Sequence, residues 1–162
     1  MSGPAPAGFT FFWDGPLSQW HSSPMTVAGR RYLCAEHYMM HAKALLFGDA
    51  ETAALILDEP EPVRQKSLGR RVRGFAEPVW EGARHAIVVT GSLAKYSQNP
   101  DLLAILLATG GTRLVQASPI DRVWGIGLAA DDPRATDPTQ WRGLNLLGDI
   151  LTEVRDALRA VR

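Results

Sequence analysis

The chain predicts a mainly α fold with a few short β-strands, a single-domain α+β architecture in which helices dominate. Three observations carry that reading. The run from Ala35 to Phe47 has helical character, and Gly48 follows where a left-handed residue would stop it. Leu144, Leu147, Leu151, Val154, Leu158 and Val161 recur at spacings of three and four, the period of one helix face. The strand-like runs are too short for a large sheet.

The elements follow in order. Residues 1–8 are small and Pro/Gly-rich and read as a disordered leader, leaving 9–162 as the folded domain. Phe9–Trp13 is an aromatic run suited to a strand, ended by Asp14-Gly15-Pro16. Leu17–His21 is a polar, aromatic loop. Thr26-Val27 and Arg31-Tyr32-Leu33 flank Ala28-Gly29-Arg30 as a hairpin. Asp49 is placed to cap a second helix running to about Leu57. Pro60 and Pro62 punctuate the chain, and Val63–Leu68 predicts a helix ending at Gly69. Pro78 starts a long helix through Ala94, with Val79, Ala83, Ala86, Ile87 and Leu93 expected on its buried side. Asn99-Pro100-Asp101 is a break, Leu102–Leu107 a further helix closed by Thr109-Gly110-Gly111, and Leu114-Val115 a strand. Asp121–Gly127 reads as a glycine-bearing loop and Asp131–Gln140 as a mobile polar segment. Asn145 lies at the N-terminus of the last helix.

With 162 residues, 46% of them hydrophobic, the chain is long enough to bury a core without staples. Seventeen basic residues balance seventeen acidic ones, so nothing in the charge demands a nucleic-acid or membrane partner. Cys34 is the one cysteine, which excludes an intramolecular disulfide and a cysteine-rich zinc site, and points to a reducing compartment. No signal-peptide pattern is present, and no apolar run approaches the roughly 20 residues of a membrane span. A cytoplasmic protein is expected. The sequence carries no signal for oligomeric state.

Glu36 and Lys43 stand two helical turns apart, so a carboxylate and an amine share one helix face. In a partly buried site each would perturb the other's ionisation, and a lysine so placed can become a nucleophile; at a surface the same pair is an ordinary ion pair. His37 and His41 have the spacing of a zinc pair, but the glutamate precedes them and no third ligand presents itself. Trp13, Trp20 and Trp124 sit beside glycine, polar or acidic residues, a setting that suits stacking on a planar ring as well as core packing. Asp121 and Trp124 place an acid near an aromatic face, and Gly125-Ile126-Gly127 lacks the context of a cofactor loop. Gly143-Leu144-Asn145 puts an amide at a helix start, where either an anion or a cap can sit. Arg64, Lys66, Arg70, Arg71 and Arg73 form the strongest basic cluster, either a solvated face or a phosphate site.

The order of these segments resembles the NADAR family, which includes the YbiA-like N-glycosidases. The matching blocks are Leu17-Ser18-Gln19-Trp20, Ala35-Glu36-His37-Tyr38, Lys43-Ala44, Gly69-Arg70, and Trp80 with Arg84. They continue through Lys95-Tyr96, Leu107–Gly110, Leu114-Val115, Asp121 with Trp124-Gly125, and Gly143–Gly148. Gln19 stands where many relatives carry Asn, and Gln116 where they carry Glu, which removes a carboxylate from the expected catalytic set.

The resemblance implies a mostly helical fold and hydrolysis of an N-glycosidic bond at a ribose C1, without metal or redox cofactor. The implied substrates are ADP-ribose on guanine, in DNA or as a nucleotide, or phosphoribosylamino-pyrimidine intermediates of riboflavin biosynthesis. It implies Lys43 as nucleophile, Glu36 and Asp121 as acid and base, and Gln19, Trp20, Arg70, Arg84, Trp124, Gly125 and Asn145 as substrate-binding residues. Two other classes compete: a non-catalytic ADP-ribose or nucleotide-binding module, which does not need Lys43, and a nucleic-acid-interaction domain using Arg64–Arg73.

Overall fold

The computed structural model describes residues 8–162, so all of the expected leader except Gly8 lies outside the described residues. The described elements are β1 (Phe9–Phe12), β2 (Met25–Val27), β3 (Arg30–Tyr32), α1 (Ala35–Leu46), α2 (Ala50–Asp58), α3 (Pro62–Gly69), α4 (Glu77–Gln98), α5 (Pro100–Ala108), β4 (Arg113–Gln116) and α6 (Leu146–Ala160). Helices dominate and the strands are short, the predicted class. Among the described residues no helix is long and apolar enough to cross a membrane. The chain divides into two compact units: Gln19–Pro100, and the residues up to Ser18 together with Asp101–Arg162.

In the Gln19–Pro100 unit, α1 packs against α2, α3 and α4. Its buried positions include Ala35, Glu36, His37, Met39, Met40, His41 and Ala44, so two adjacent faces are covered. The hairpin pairs Met25 with Tyr32 and Val27 with Arg30 through a two-residue turn. Ala28 (φ 50°) and Gly29 (φ 78°) both take positive φ there, which is what the twist of a tight hairpin requires. Asp49 caps α2 by accepting from the Thr52 N–H at 3.0 Å, as expected.

Helix α4 differs from the expectation in length and in face. It runs to Gln98, whose side chain clamps the Thr26 backbone of β2 by accepting from N–H at 2.7 Å and donating to C=O at 2.8 Å. Its buried residues are Trp80, Val88, Gly91, Ser92, Lys95 and Tyr96; Val79 and Ala86 are exposed. Apolar residues lie all round this helix, so their period alone does not fix which side faces inward. Close approach does: a Cβ at Gly91 would come 2.7 Å from Cδ1 of the Tyr38 ring on α1.

The other unit is built on a parallel pair, β1 with β4, in register from Phe9↔Arg113 to Phe12↔Gln116. Helix α6 packs against β4. Leu147, Ile150, Leu151 and Val154 are buried, whereas Leu144 and Val161, expected on the same face, are 57% and 80% exposed because the helix starts only at Leu146 and ends at Ala160. Arg155 is buried on α6 and its guanidinium donates to the Thr109 hydroxyl and Thr112 carbonyl, tying the helix to the α5–β4 turn. Val115, Ile126, Leu128 and Ala135 form a core cluster packed by Phe9, Phe11 and Trp141. The segment expected to be mobile is instead built turn by turn. Asp132 and Asp137 cap two short 3-10 turns, Ala135 is buried, and the Trp141 indole donates to the Ala135 carbonyl at 2.8 Å.

Candidate functional site

The candidate residues are divided between the units. Gln19, Trp20, Glu36, Lys43, Arg70 and Arg84 lie in one, Asp121, Trp124, Gly125 and Asn145 in the other. In the first, α1 supplies both charged groups. Glu36 is buried in its first turn, and its N–H donates to the Gln19 carbonyl at 3.0 Å, which fixes the Gln19-Trp20 loop at that end of the helix. Trp20 presents an exposed ring, and the Lys66 ammonium of α3 lies 5.9 Å from its centroid.

Lys43 is half-buried, with Nζ 4.8 Å from the Phe75 ring and 5.5 Å from the Trp80 ring. Burial pushes its pKa down from the ordinary lysine value. The Glu36 and Glu77 carboxylates oppose that shift, and the Arg70 guanidinium adds to it. Desolvation outweighs the carboxylates, so the amine is easier to deprotonate than an ordinary lysine. Gly69 lets α3 lie close to α1, since a methyl group there would run into the Met40 sulfur. This places Arg70, at the end of α3, within electrostatic reach of Lys43. Arg84 follows Trp80 by one turn of α4 and is half-buried.

Phe75 is held in place by the chain before it. The buried Asp49 carboxylate accepts from the Arg73 backbone N–H and guanidinium, both at 2.9 Å. Gly74 then turns the chain at φ 78°, and the Phe47 ring meets Phe75 with centroids 5.3 Å apart. Neither Phe75 nor Glu77 carries a signal in the sequence, because each reaches Lys43 only through tertiary packing. Trp80 stands in one of the matching blocks, and the sequence alone gives it no role.

The histidine pair is structural. His37 accepts from the Leu33 N–H at Nδ1 and donates from Nε2 to the Ile56 carbonyl at 2.7 Å, so both ring nitrogens are occupied. His41 Nδ1 is bonded to the Tyr32 hydroxyl at 2.8 Å. Cys34 is buried against Gln65. Lys95 is almost wholly buried on α4, and desolvation pushes its pKa down to about 7.

In the second unit three of the expected site residues are engaged in local structure. Asp121, expected as an acid or base, spends Oδ1 on the Val123 and Trp124 N–H groups at 2.9 and 2.8 Å, and so shapes its own loop. Gly125, expected at the substrate, is a packing glycine: a Cβ there would lie 2.9 Å from the Gln116 carbonyl and 3.0 Å from that of Asp121. Asn145, expected as a hydroxyl or phosphate donor, is fully buried at φ 54°. Its amide accepts from the Gln116 N–H at 2.9 Å and donates to the Leu114 carbonyl at 3.1 Å, which bolts the start of α6 to β4. Gly143 and Gly148 serve the same junction, since Cβ atoms would meet the Gly125 and Leu114 carbonyls. Trp124 is half-buried, with its backbone committed to Asp121 and Leu147. Trp13 lines an apolar cleft of about 440 Å³ with Phe11, Phe12, Leu17 and Ile105.

Comparison with known proteins gives a consistent result. The NADAR domain model matches residues 11–159. "N-glycosidase R617" of Acanthamoeba polyphaga mimivirus is 45% identical over 125 residues, 77% of this chain and 74% of that protein. "N-glycosidase YbiA" of Escherichia coli K12 is 28% identical over 144 residues, 89% of this chain and 81% of that protein. The NMR structure of the E. coli protein YbiA superposes with a TM-score of 0.78 at 25% identity, covering 95% of this chain and 86% of that one.

Proposed function

Because this chain belongs to the NADAR family, we propose that it is an N-glycosidase that hydrolyses a ribose C1–N bond, with Lys43 as nucleophile and Glu36 as the carboxylate that moves protons beside it. The observation that carries this reading is the half-buried Lys43, whose pKa burial lowers despite two nearby carboxylates. An amine that gives up its proton more readily than an ordinary lysine is the better nucleophile toward a carbon electrophile. The relatives named N-glycosidase support the reaction class.

The chemistry suits a ribose carrying an exocyclic amine. The lone pair of that nitrogen opens the sugar ring, O4 takes a proton, and C1 becomes an imine carbon. Neutral Lys43 adds to C1, and the C=N π electrons pass to the base nitrogen. A proton moves from Nζ to that nitrogen, through Glu36 in this reading. The base departs with the C1–N electron pair, leaving a C1=Nζ iminium. Water adds to C1 and loses a proton, the amine leaves, and the sugar recloses. The sum is one water consumed, one base and one reducing sugar released.

Arg70, exposed beside Lys43, is assigned to the substrate phosphate, and Trp20 and Gln19 to the base and sugar edges. Arg84 is a second phosphate candidate. The substrates that fit are ADP-ribosylated guanine and a phosphoribosylamino-pyrimidine. Asp121 and Asn145 are assigned to shaping their loop and the α6 junction.

Incubation with each substrate, followed by chromatography of the released base, tests the reading. Lys43→Ala is expected to abolish release with its circular dichroism unchanged, and borohydride is expected to trap a sugar adduct on Lys43 in the parent protein. Full activity in Lys43→Ala would remove the nucleophile assignment; tight binding of both substrates without release would favour a binding module.

A further inference from the structure

Lys43 Nζ lies over two aromatic faces, Phe75 at 4.8 Å and Trp80 at 5.5 Å, both inside the roughly 6 Å reach of a ring quadrupole. The two rings are held differently. Trp80 is buried in the first turns of α4, whereas Phe75 is 42% exposed. Burial does not hold Phe75 over a cation, yet three features aim it there: the Asp49–Arg73 clamp, the turn at Gly74, and the Phe47 ring behind it. We infer that Phe75 and Trp80 form a two-faced cation platform, which holds Lys43 Nζ in place as it passes from ammonium to sugar iminium, with Phe75 as a positioning residue. This rests on Lys43 being the nucleophile.

The charge changes along the reaction give the platform its use. Nζ is cationic before it loses its proton, neutral as it attacks C1, cationic again on bonding until it passes a proton to the base nitrogen, and cationic once more as the iminium after the base has left with its electron pair. The ring faces favour the cationic forms and not the neutral ones. They therefore act with Glu36 of α1 and Glu77 of α4, and against burial and the Arg70 guanidinium at the end of α3. Unlike a carboxylate, a ring face stabilises the iminium without offering it a base or a competing nucleophile.

The chain has three lysines, Lys43, Lys66 and Lys95, so lysine-selective ¹³Cε labelling gives few enough NMR signals to titrate individually. The Lys43 signal is assigned by its loss in Lys43→Arg. Phe75→Leu keeps apolar bulk and removes the ring face, and is expected to lower the Lys43 midpoint by about 0.5–1 pH unit. Phe75→Tyr is expected to keep it. Trifluorophenylalanine at position 75 preserves shape while draining the face of negative charge, and should lower the midpoint without any question of folding. A midpoint unmoved, or raised, by both replacements overturns the platform. Borohydride trapping on Lys43 reads the iminium and is expected to fall roughly 2–5-fold in Phe75→Leu, with recovery in Phe75→Tyr. Unchanged trapping overturns the platform's part in that intermediate. The titration is done without substrate, so it stands apart from the nucleophile assignment, which Lys43→Ala turnover tests on its own.

Discussion

Two glycines in the same helix give opposite expectations for the same substitution. Gly82 and Gly91 both lie inside α4, where alanine is preferred over glycine by about 0.5–1 kcal/mol because it loses less backbone freedom on folding. A Cβ at Gly82 meets nothing within 4 Å, so Gly82→Ala should realise that gain in full. At Gly91 the new methyl would lie 2.7, 3.3 and 3.5 Å from three atoms of the Tyr38 ring. That ring stands edge-on to Tyr32 at 5.2 Å, and the Tyr32 hydroxyl is tied to His41, so it has little room to swing. Overpacking of this kind costs about 1–3 kcal/mol, which exceeds the helix gain. Thermal denaturation should therefore raise the midpoint of Gly82→Ala by about 1–4 °C and lower that of Gly91→Ala by about 1–8 °C. If Gly91→Ala proves as stable as Gly82→Ala, the close approach of α4 to α1 is wrong.

Further outcomes follow from the charged and buried groups. Hydrogen bonds from Arg73 and Thr52 hold the Asp49 carboxyl well below the usual carboxylate range. Its stabilising effect is complete above the unfolded-state value near pH 4 and fades as pH falls through the lower folded-state value. Asp49→Asn should thus be less stable than the parent in urea at pH 7, with the difference shrinking in strong acid. Lys95 moves the other way: its folded pKa of about 7 lies below the unfolded value, so the unfolded chain holds more protons between the two and stability rises with pH across that window. Urea titrations at pH 6.5 and 9.5 should show this rise, and Lys95→Met should flatten it. Asn145→Ala leaves the Gln116 N–H and Leu114 carbonyl without their partner and places alanine at positive φ; a loss of about 2–4 kcal/mol is expected. Asn145→Gly should recover the backbone part of that loss, as read by chemical denaturation.

Much of the architecture was legible because it is written in local chemistry. The α1 period places Glu36 and Lys43 together whatever surrounds them, and Ala28-Gly29 between two short strand-like runs marks the hairpin. Asp49 looks like a helix cap and is one. Asn145 is ambiguous in the sequence because an asparagine before a helix looks the same whether it meets a ligand or a neighbouring strand, and its bond to β4, some thirty residues earlier, is not a local signal. Gly125 and Gly143 carry no local sign of their packing role, yet each is required by a distant carbonyl. Phe75 was invisible for the same reason: its place over Lys43 depends on Asp49 gripping Arg73 from another helix. The buried face of α4 failed because apolar residues surround that helix, leaving shape to choose the inward side.

The β1–β4 ladder joins Phe9 to Arg113, with the whole of Gln19–Pro100 between them in the chain. During synthesis the first strand therefore leaves the ribosome long before its mate exists. The uninterrupted middle segment has all its helical neighbours at hand by then, while the aromatic edge of Phe9–Phe12 must wait for the carboxyl-terminal third. Assembly order is thus imprinted by topology, and the first strand stays unpaired until the last third of the chain has been made.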